Sequence, residues 1–354
     1  MGLSMLVSEP DNREPAGTEG PPELSIIVVN WNSAEFVRRC VDSIRKQTTG
    51  LTYEILVVDN ASFDGCEQVL QKHAPEVMYI QSDKNLGFAK ANNYAFQAAR
   101  GTSLLFLNPD TEIVGTAIAL LYRALQQLPG AGAVGARLLN ADGSLQTSCI
   151  QSFPTILNQA LDSEYLRRKW PESMLWGTRP LLHEDGLSEE VEAICGACLM
   201  IKTDVFERIG GFSEDYFMYA EDMDLCYKVQ KAGYKNYYVP ESGVIHFGGS
   251  SSKQAPSNFS TVMMRESISQ FLRKTRGRLC EIGYRLLMFL SAVCRLTFLT
   301  IYLLVQRLCH RRGSSGASLR KWWAILVWTL GQADQSHIVK REPKATVTSR
   351  RMCG

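Results

Sequence analysis

At 354 residues, 45% hydrophobic and 21% charged, the chain has the composition of a folded protein with a sizeable core, which excludes a disordered or fibrous class. A formal charge of +2 excludes a generally basic, phosphate-tracking surface of the kind that binds nucleic acid. Of the ten cysteines only Cys195 and Cys198 form a close pair, with no second pair to complete a zinc site, so the chain reads as one from a reducing compartment.

Residues 1–23, rich in Pro, Gly and acidic side chains and without an apolar core, are expected to form a disordered leader rather than a signal peptide. Leu24–Asn30 (LSIIVVN) is then a short β-branched run, the pattern of a strand buried on both faces. Ala34–Gln47 carries Phe36, Val37, Cys40, Val41 and Ile44 at helical spacing. Strands over Glu54–Asp59, Val77–Gln81 and Ser103–Leu107 alternate with helices over Cys66–His73, Phe88–Arg100 and Gly115–Leu128. Such alternation predicts a parallel sheet with helices on its faces, and ligands bind such sheets beyond the carboxyl ends of the strands. Those ends read Asn30-Trp31-Asn32, Asp59-Asn60 and Asn108-Pro109-Asp110, so a nucleotide is expected there.

Beyond Ala131 the alternation weakens. A strand over Gly132–Leu139 and a turn at Asn140–Gly143 precede an irregular stretch, Ser152–Glu190. Ala193–Lys202 reads as one strand, Thr203–Ile209 and Asp222–Ala232 as helices, and Lys235–Val239 and Gly243–His246 as two further strands.

Several segments carry chemistry. In Leu107–Glu112 (LNPDTE) a carboxylate stands just past a buried strand, where Asp110 would suit a divalent cation that neutralises a departing diphosphate; Asp110 and Thr111 would equally cap the next helix. Tyr219–Asp224 (YAEDMD) sets three carboxylates beside aromatic residues, a place for a general base or simply for charges that complement a helix dipole. His246 ends an apolar strand before a Gly/Ser loop and would ligate a metal, contact a phosphate, or serve only the structure. Asn85–Asn93 (NLGFAKANN) enters a helix with backbone amides suited to an anion. Neither GxGxxG nor GxxxxGK[ST] occurs in it, which counts against a dinucleotide dehydrogenase or an ATPase.

Taken in order, SIIVVNWN (Ser25–Asn32), VVDNASFD (Val57–Asp64), NLGFAKANN, LNPDTE, GFSEDYFMYAEDMDLC (Gly211–Cys226) and His246–Ser252 resemble glycosyltransferase family 2, inverting enzymes, and especially its rhamnosyltransferase-like branch. The resemblance runs from about Leu24 to Arg265. It implies a GT-A nucleotide-sugar transferase fold, a mostly parallel central sheet flanked by helices. It implies that Asp59 contacts the base while Asn30, Asn60, Asn85 and Asn92 line the nucleoside pocket. Asn108 and Asp110 occupy the family's DxD position, with Asp110 and His246 at a divalent metal (Mg²⁺ or Mn²⁺) and Arg265 at the diphosphate. Asp222, paired with Glu221, matches the catalytic base. The implied function is transfer of a sugar such as rhamnose from a nucleotide-diphosphate donor to a hydroxyl of a lipid-linked or polysaccharide acceptor in cell-surface glycan synthesis. The alternative is a non-catalytic nucleotide-sugar-binding protein derived from a transferase. A sugar-1-phosphate nucleotidyltransferase would need a Gly-rich basic signature where Asn30–Ser33 stands.

Leu286–Val305 is long enough to span a bilayer, but Arg295 divides it into Leu286–Cys294 and Leu296–Gln306. Flanking basic residues, with Trp322, Trp323 and Trp328, suit helices lying in the interface; a spanning helix and an ordinary buried helix are the other readings. The expected organisation is a catalytic domain over 24–255, a membrane-associating helical extension over 256–335 and a flexible tail over 336–354. The expected location is the cytoplasmic face of the inner membrane, peripheral or monotopic.

Overall fold

The computed structural model describes residues 20–146, 148–161, 169–170, 173, 186–248, 258–308 and 316–331. Residues 1–19 of the expected leader, the expected tail, most of the irregular Ser152–Glu190 stretch and the Gly/Ser loop after Gly248 lie outside the described residues. The chain divides into two compact units, Met1–Tyr284 and Arg285–Gly354.

In the first unit, strands β1 (Leu24–Asn30), β2 (Tyr53–Asn60), β3 (Met78–Ser82) and β4 (Ser103–Leu107) pair in parallel in the order β3-β2-β1-β4. Every residue of β1 and β4 is buried, because helices cover both faces and leave no side of the strand to water. Those crossovers are α1 (Ala34–Gln47), α2 (Cys66–His73) and α3 (Gly87–Phe96). The buried face of α1 is Val37, Cys40, Val41 and Ile44, and Arg45 and Lys46 in its last turn complement the helix dipole.

The sheet then changes character. A short β5 (Thr111–Ile113) follows β4, and α4 (Ala117–Gln127) leads into β6 (Ala131–Leu139). β7 (Ile150–Gln151), α5 (Ile156–Ala160) and β8 (Glu189–Val191) come next. The single strand expected over Ala193–Lys202 is broken into β9 (Ala193–Ile194) and β10 (Cys198–Lys202), because Cys195–Ala197 turns. β10 runs antiparallel to both β4 and β6. After α6 (Thr203–Arg208) and α7 (Glu221–Lys231), the two last expected strands form one, β11 (Lys235–His246), with a register shift between Val239 and Gly243. β11 is parallel to β6 and antiparallel to β5 and β8, so the sheet is mixed.

The first unit extends further than residue 255. α8 (Phe259–Arg276) buries Met263, Ile268, Phe271 and Leu272, and Phe271 stacks on Phe153 with ring centroids 5.9 Å apart. This apolar stripe makes α8 part of the catalytic core rather than of the extension.

α9 (Arg278–Leu308) is one continuous helix through Arg295, where the sequence suggested a division. Arginine is a good helix former, so its charge interrupts the apolar run without interrupting the backbone. Within Arg278–Gln306 a stretch of 18 residues reaches a mean hydropathy of 2.0, and the helix is long and apolar enough to cross a membrane. Only 11% of the apolar window is buried, which sets aside the reading as an ordinary core helix. In the second unit α10 (Gly316–Thr329) brings Trp322 and Trp328 to the arginines: Arg295 lies 4.2 Å over the Trp322 ring and Arg285 4.8 Å over Trp328.

Candidate active site

The carboxyl ends of β1, β2 and β4 converge, as strands of one parallel set must. At the first, Asn30 is wholly buried and donates from Nδ2 to Asp59 Oδ1 and Asp64 Oδ1, each at 3.0 Å, while its Oδ1 accepts from the Ser33 amide at 3.0 Å. Asp59, equally buried, accepts from the amides of Ser62 (3.2 Å) and Phe63 (3.1 Å). Both side chains are therefore taken up in holding the loops after β1 and β2. Asn60 accepts from the Leu86 amide at 2.7 Å and donates to Asn85 Oδ1 at 3.0 Å; Asn85 Oδ1 in turn accepts from the Gly87 amide at 2.9 Å. Gly87 has φ +77°, and a Cβ there would stand 2.5 Å from the Phe217 carbonyl, so this loop can close on residue 217 only with glycine. Asn92 donates to the Phe88 carbonyl one turn back in α3 at 2.9 Å, and Asn93 pairs with the Phe212 backbone in both directions at 2.9 Å.

Past β4, LNPDTE is split by the fold. Thr111 enters β5 and α4 begins only at Ala117, so Asp110 and Thr111 do not cap that helix. Thr111 Oγ1 instead donates to the Asn108 carbonyl at 2.7 Å and tightens the turn. Glu112 points away to Arg39, at 2.5 Å. Asp110 is buried, and β11 brings His246 against it. His246 Nε2 lies 3.4 Å from Asp110 Oδ1 and 3.4 Å from Asn108 Nδ2, and the Phe247 amide donates to the Asp110 carbonyl at 2.9 Å. Among the described residues no three His, Cys, Asp or Glu side chains gather into a closed metal cage. A carboxylate oxygen and an imidazole nitrogen facing each other in an open site nonetheless fit Mg²⁺ or Mn²⁺, which take most of their ligands from water and phosphate oxygens.

The acidic cluster is also divided. Asp224 is structural: it accepts from Ser213 Oγ at 2.5 Å and Tyr216 Oη at 3.3 Å, fastening the preceding loop to α7. Tyr219 and Ala220 precede the helix with φ of 72° and 62°, a strained left-handed pair of the kind that collects at functional sites. Asp222, half-buried, accepts from the Gly196 amide at 2.9 Å and from Gln151 Nε2 at 3.5 Å. A Cβ at Gly196 would stand 3.1 Å from the Asp222 Cβ, so the turn after β9 fits under the carboxylate closely. Burial raises the Asp222 pKa against the pull of those donors. Glu221 is pushed up to about 8, by burial first and by the Asp222 charge second. Its Oε2 is buried without a hydrogen-bond partner among the described residues, as a neutral carboxyl tolerates and a carboxylate does not. Burial thus raises both carboxyls of the pair, and Glu221, pushed to about 8, is the one held protonated at neutral pH.

One turn links the two clusters. The Asn108 amide donates to the Ala197 carbonyl at 3.0 Å, next to the Gly196 amide that binds Asp222. Asn108, Asp110 and His246 on one side and Asp222 on the other are thereby held to a common backbone. Sequence reasoning missed Gly196, Gln151 and Gln146; the broken strand at Cys195–Ala197 hid the first, and nothing local marks the glutamines. Arg265 is buried on α8 and donates from Nη1 to Gln159 Oε1 at 3.0 Å, with no partner for Nε among the described residues.

Comparison with known proteins identifies the family. The family model described as glycosyl transferase family 2 matches residues 25–210, and that of glycosyl transferase family group 2 matches residues 183–333. The chain is 28% identical over 247 residues to an N-acetylglucosaminyl-diphospho-decaprenol L-rhamnosyltransferase of Mycobacterium tuberculosis, covering 66% of this chain and 79% of the relative. It is 25% identical to the rhamnosyltransferase WbbL of Escherichia coli over 63% of this chain and 82% of the relative. Among solved structures, the mannosyltransferase PcManGT of Pyrobaculum calidifontis, in complex with GDP-Man and Mn²⁺, superposes with a TM-score of 0.55 at 15% identity. That likeness covers 89% of this chain and 88% of the other, and it bears on the fold.

Proposed function

This chain belongs to glycosyl transferase family 2 and is a glycosyltransferase of glycan synthesis with the GT-A fold, and from that premise we propose that it moves rhamnose from a nucleotide-diphosphate donor to a hydroxyl of a lipid-linked acceptor, inverting the anomeric centre. The observation that carries the reading is the shared turn: the Asn108 amide is bonded to the Ala197 carbonyl and Asp222 to the Gly196 amide, on adjacent residues. A leaving diphosphate and an attacking hydroxyl have to be held on opposite sides of one sugar carbon, and two clusters on one rigid turn supply that.

The nucleoside lies over the loops that Asn30, Asp59, Asn60 and Asn85 hold, and Asn92 keeps the start of α3 in place beneath it. Asp110 and His246 would hold a divalent cation, which when bound neutralises charge on the departing diphosphate. Arg265 adds a positive charge on the diphosphate side. Asp222 accepts the proton of the acceptor hydroxyl as its oxygen attacks the anomeric carbon, and the Gly196 amide keeps the carboxylate aimed. Glu221, protonated, lets Asp222 keep its negative charge without a second one beside it. The choice of rhamnose and of a lipid-linked acceptor is supported by the two rhamnosyltransferase relatives, one of which acts on a decaprenol-linked sugar by its name.

The apolar, largely unburied α9 is compatible with membrane association, and we assign the enzyme to the cytoplasmic surface of the membrane, where a lipid-linked acceptor would present its sugar. The test is donor hydrolysis by detergent-purified protein with Mn²⁺, comparing dTDP-rhamnose, UDP-glucose, UDP-N-acetylglucosamine and GDP-mannose. Metal-dependent release from dTDP-rhamnose, lost in Asp110→Ala, is expected. Nucleotide binding without turnover of any donor or acceptor would instead mark a non-catalytic binder. Flotation of the same protein with anionic lipid vesicles is expected, and failure to float would remove the membrane assignment.

A further inference from the structure

The His246 ring is gripped from behind. Gln146 Nε2 donates to the His246 carbonyl at 2.6 Å, and Gln146 Oε1 lies 3.0 Å from His246 Nδ1. A carbonyl only accepts, so the amide nitrogen must face it and the amide oxygen must face the ring. That oxygen also only accepts, so Nδ1 must carry a hydrogen, and a neutral ring then keeps its lone pair on Nε2. Nε2 is the atom that faces Asp110 Oδ1 at 3.4 Å. Asn108 Nδ2, 3.4 Å away, is the donor that faces this lone pair; toward Asp110 the lone pair meets another acceptor, and a cation between the two would satisfy both. With the hydrogen on Nε2 instead, the ring would donate to Asp110 and close the site.

Gln146 is itself built in. Its amide donates to the Leu138 carbonyl at 2.9 Å, and its carbonyl accepts from Cys149 Sγ at 2.8 Å, so the side chain projects from a return of chain fixed against β6. We infer that Gln146 is a positioning residue that selects the Nδ1–H tautomer of His246 and so opens Nε2 to a divalent cation at Asp110. The inference rests on the reading of this cluster as the metal and diphosphate site. Outer partners of metal-binding histidines commonly act in this way, and their removal costs about 10- to 100-fold in metal affinity.

The experiment uses the full chain in detergent with ¹⁵N-labelled histidine. His246 is identified by loss of its signals in His246→Ala, and the tautomer is read from long-range ¹⁵N–¹H couplings at neutral pH without metal. Mn²⁺ affinity is read by electron paramagnetic resonance, with and without dTDP. Wild type should show hydrogen on Nδ1 alone. Gln146→Leu should weaken Mn²⁺ binding about 10- to 100-fold and move hydrogen to Nε2. Gln146→Glu keeps an acceptor toward Nδ1 but loses the donor to the His246 carbonyl; it should keep hydrogen on Nδ1, so loss of the acceptor is told apart from a general packing defect. A wild-type ring carrying hydrogen on Nε2, or a Gln146→Leu variant that binds Mn²⁺ like wild type, overturns the inference. Wild type with the assigned tautomer but no Mn²⁺ binding would overturn the metal reading of the site instead, and the role given to the tautomer with it.

Discussion

The two halves of the sheet treat their polar side chains in opposite ways. In the parallel half, Asn30, Asp59 and Asn60 at strand ends, with Asp64 in the loop after β2, bond to one another and to the backbone of the neighbouring loops. In the mixed half, the His246 ring stands 3.4 Å from the Asp110 carboxylate, and the Asp222 and Glu221 carboxyls lie side by side, each raised by burial. A closed polar network rigidifies, because each member left unpaired would cost its full desolvation. A half-satisfied cluster stores the capacity to bind a cation or take a proton. On the proposed function the first half is scaffold and the second is chemistry, although both are built from the same residue types.

Three substitutions can break that distinction. Asp222→Asn should lower transfer by about 10²- to 10⁴-fold, the usual worth of a general base, while the thermal midpoint stays near wild type. Loss of folding instead would make Asp222 part of the scaffold. Asp59→Ala should do the reverse: removing the acceptor of Asn30 and of two amides should cost about 3 kcal/mol of stability by denaturant titration. Unchanged stability with lost nucleotide affinity would show that Asp59 meets the nucleotide directly. The smallest effect is at Glu221. Its raised pKa means that its contribution to stability is full below the ordinary 4.5 and lost as the pH rises through about 8. Wild-type melting temperature should therefore fall across that interval, and Glu221→Gln should flatten the fall. A variant with the wild-type slope would mean that Glu221 is already ionised at neutral pH.

Most of the parallel half was legible residue by residue. Period and composition marked β1, β2 and β4 because their two-sided burial demands unbroken apolar runs, and α1 because only a helix brings Val37, Cys40, Val41 and Ile44 to one face. The mixed half was read less well. The turn at Cys195–Ala197 lies inside an apolar run and has the local appearance of strand, and its break is imposed by Asp222 and Asn108 on other elements. In sequence α8 reads as part of the membrane extension, because its basic last turn, Arg273, Lys274 and Arg276, masks a stripe that packs on the catalytic core.

By itself the sequence determined the alternating strands and helices, the family and the residues from which a site had to be made, since these follow from periodicity and from motifs contiguous in the chain. Tertiary structure alone decided which carboxylate does what. LNPDTE turns Asp110 inward and sends Glu112 to Arg39, and YAEDMD leaves Asp222 to the site while Asp224 binds Ser213 and Tyr216. Spacing along a chain fixes which residues are neighbours in sequence, whereas burial and hydrogen-bond partners fix a carboxyl group's charge, and those come from strands more than a hundred positions away, as His246 comes to Asn108.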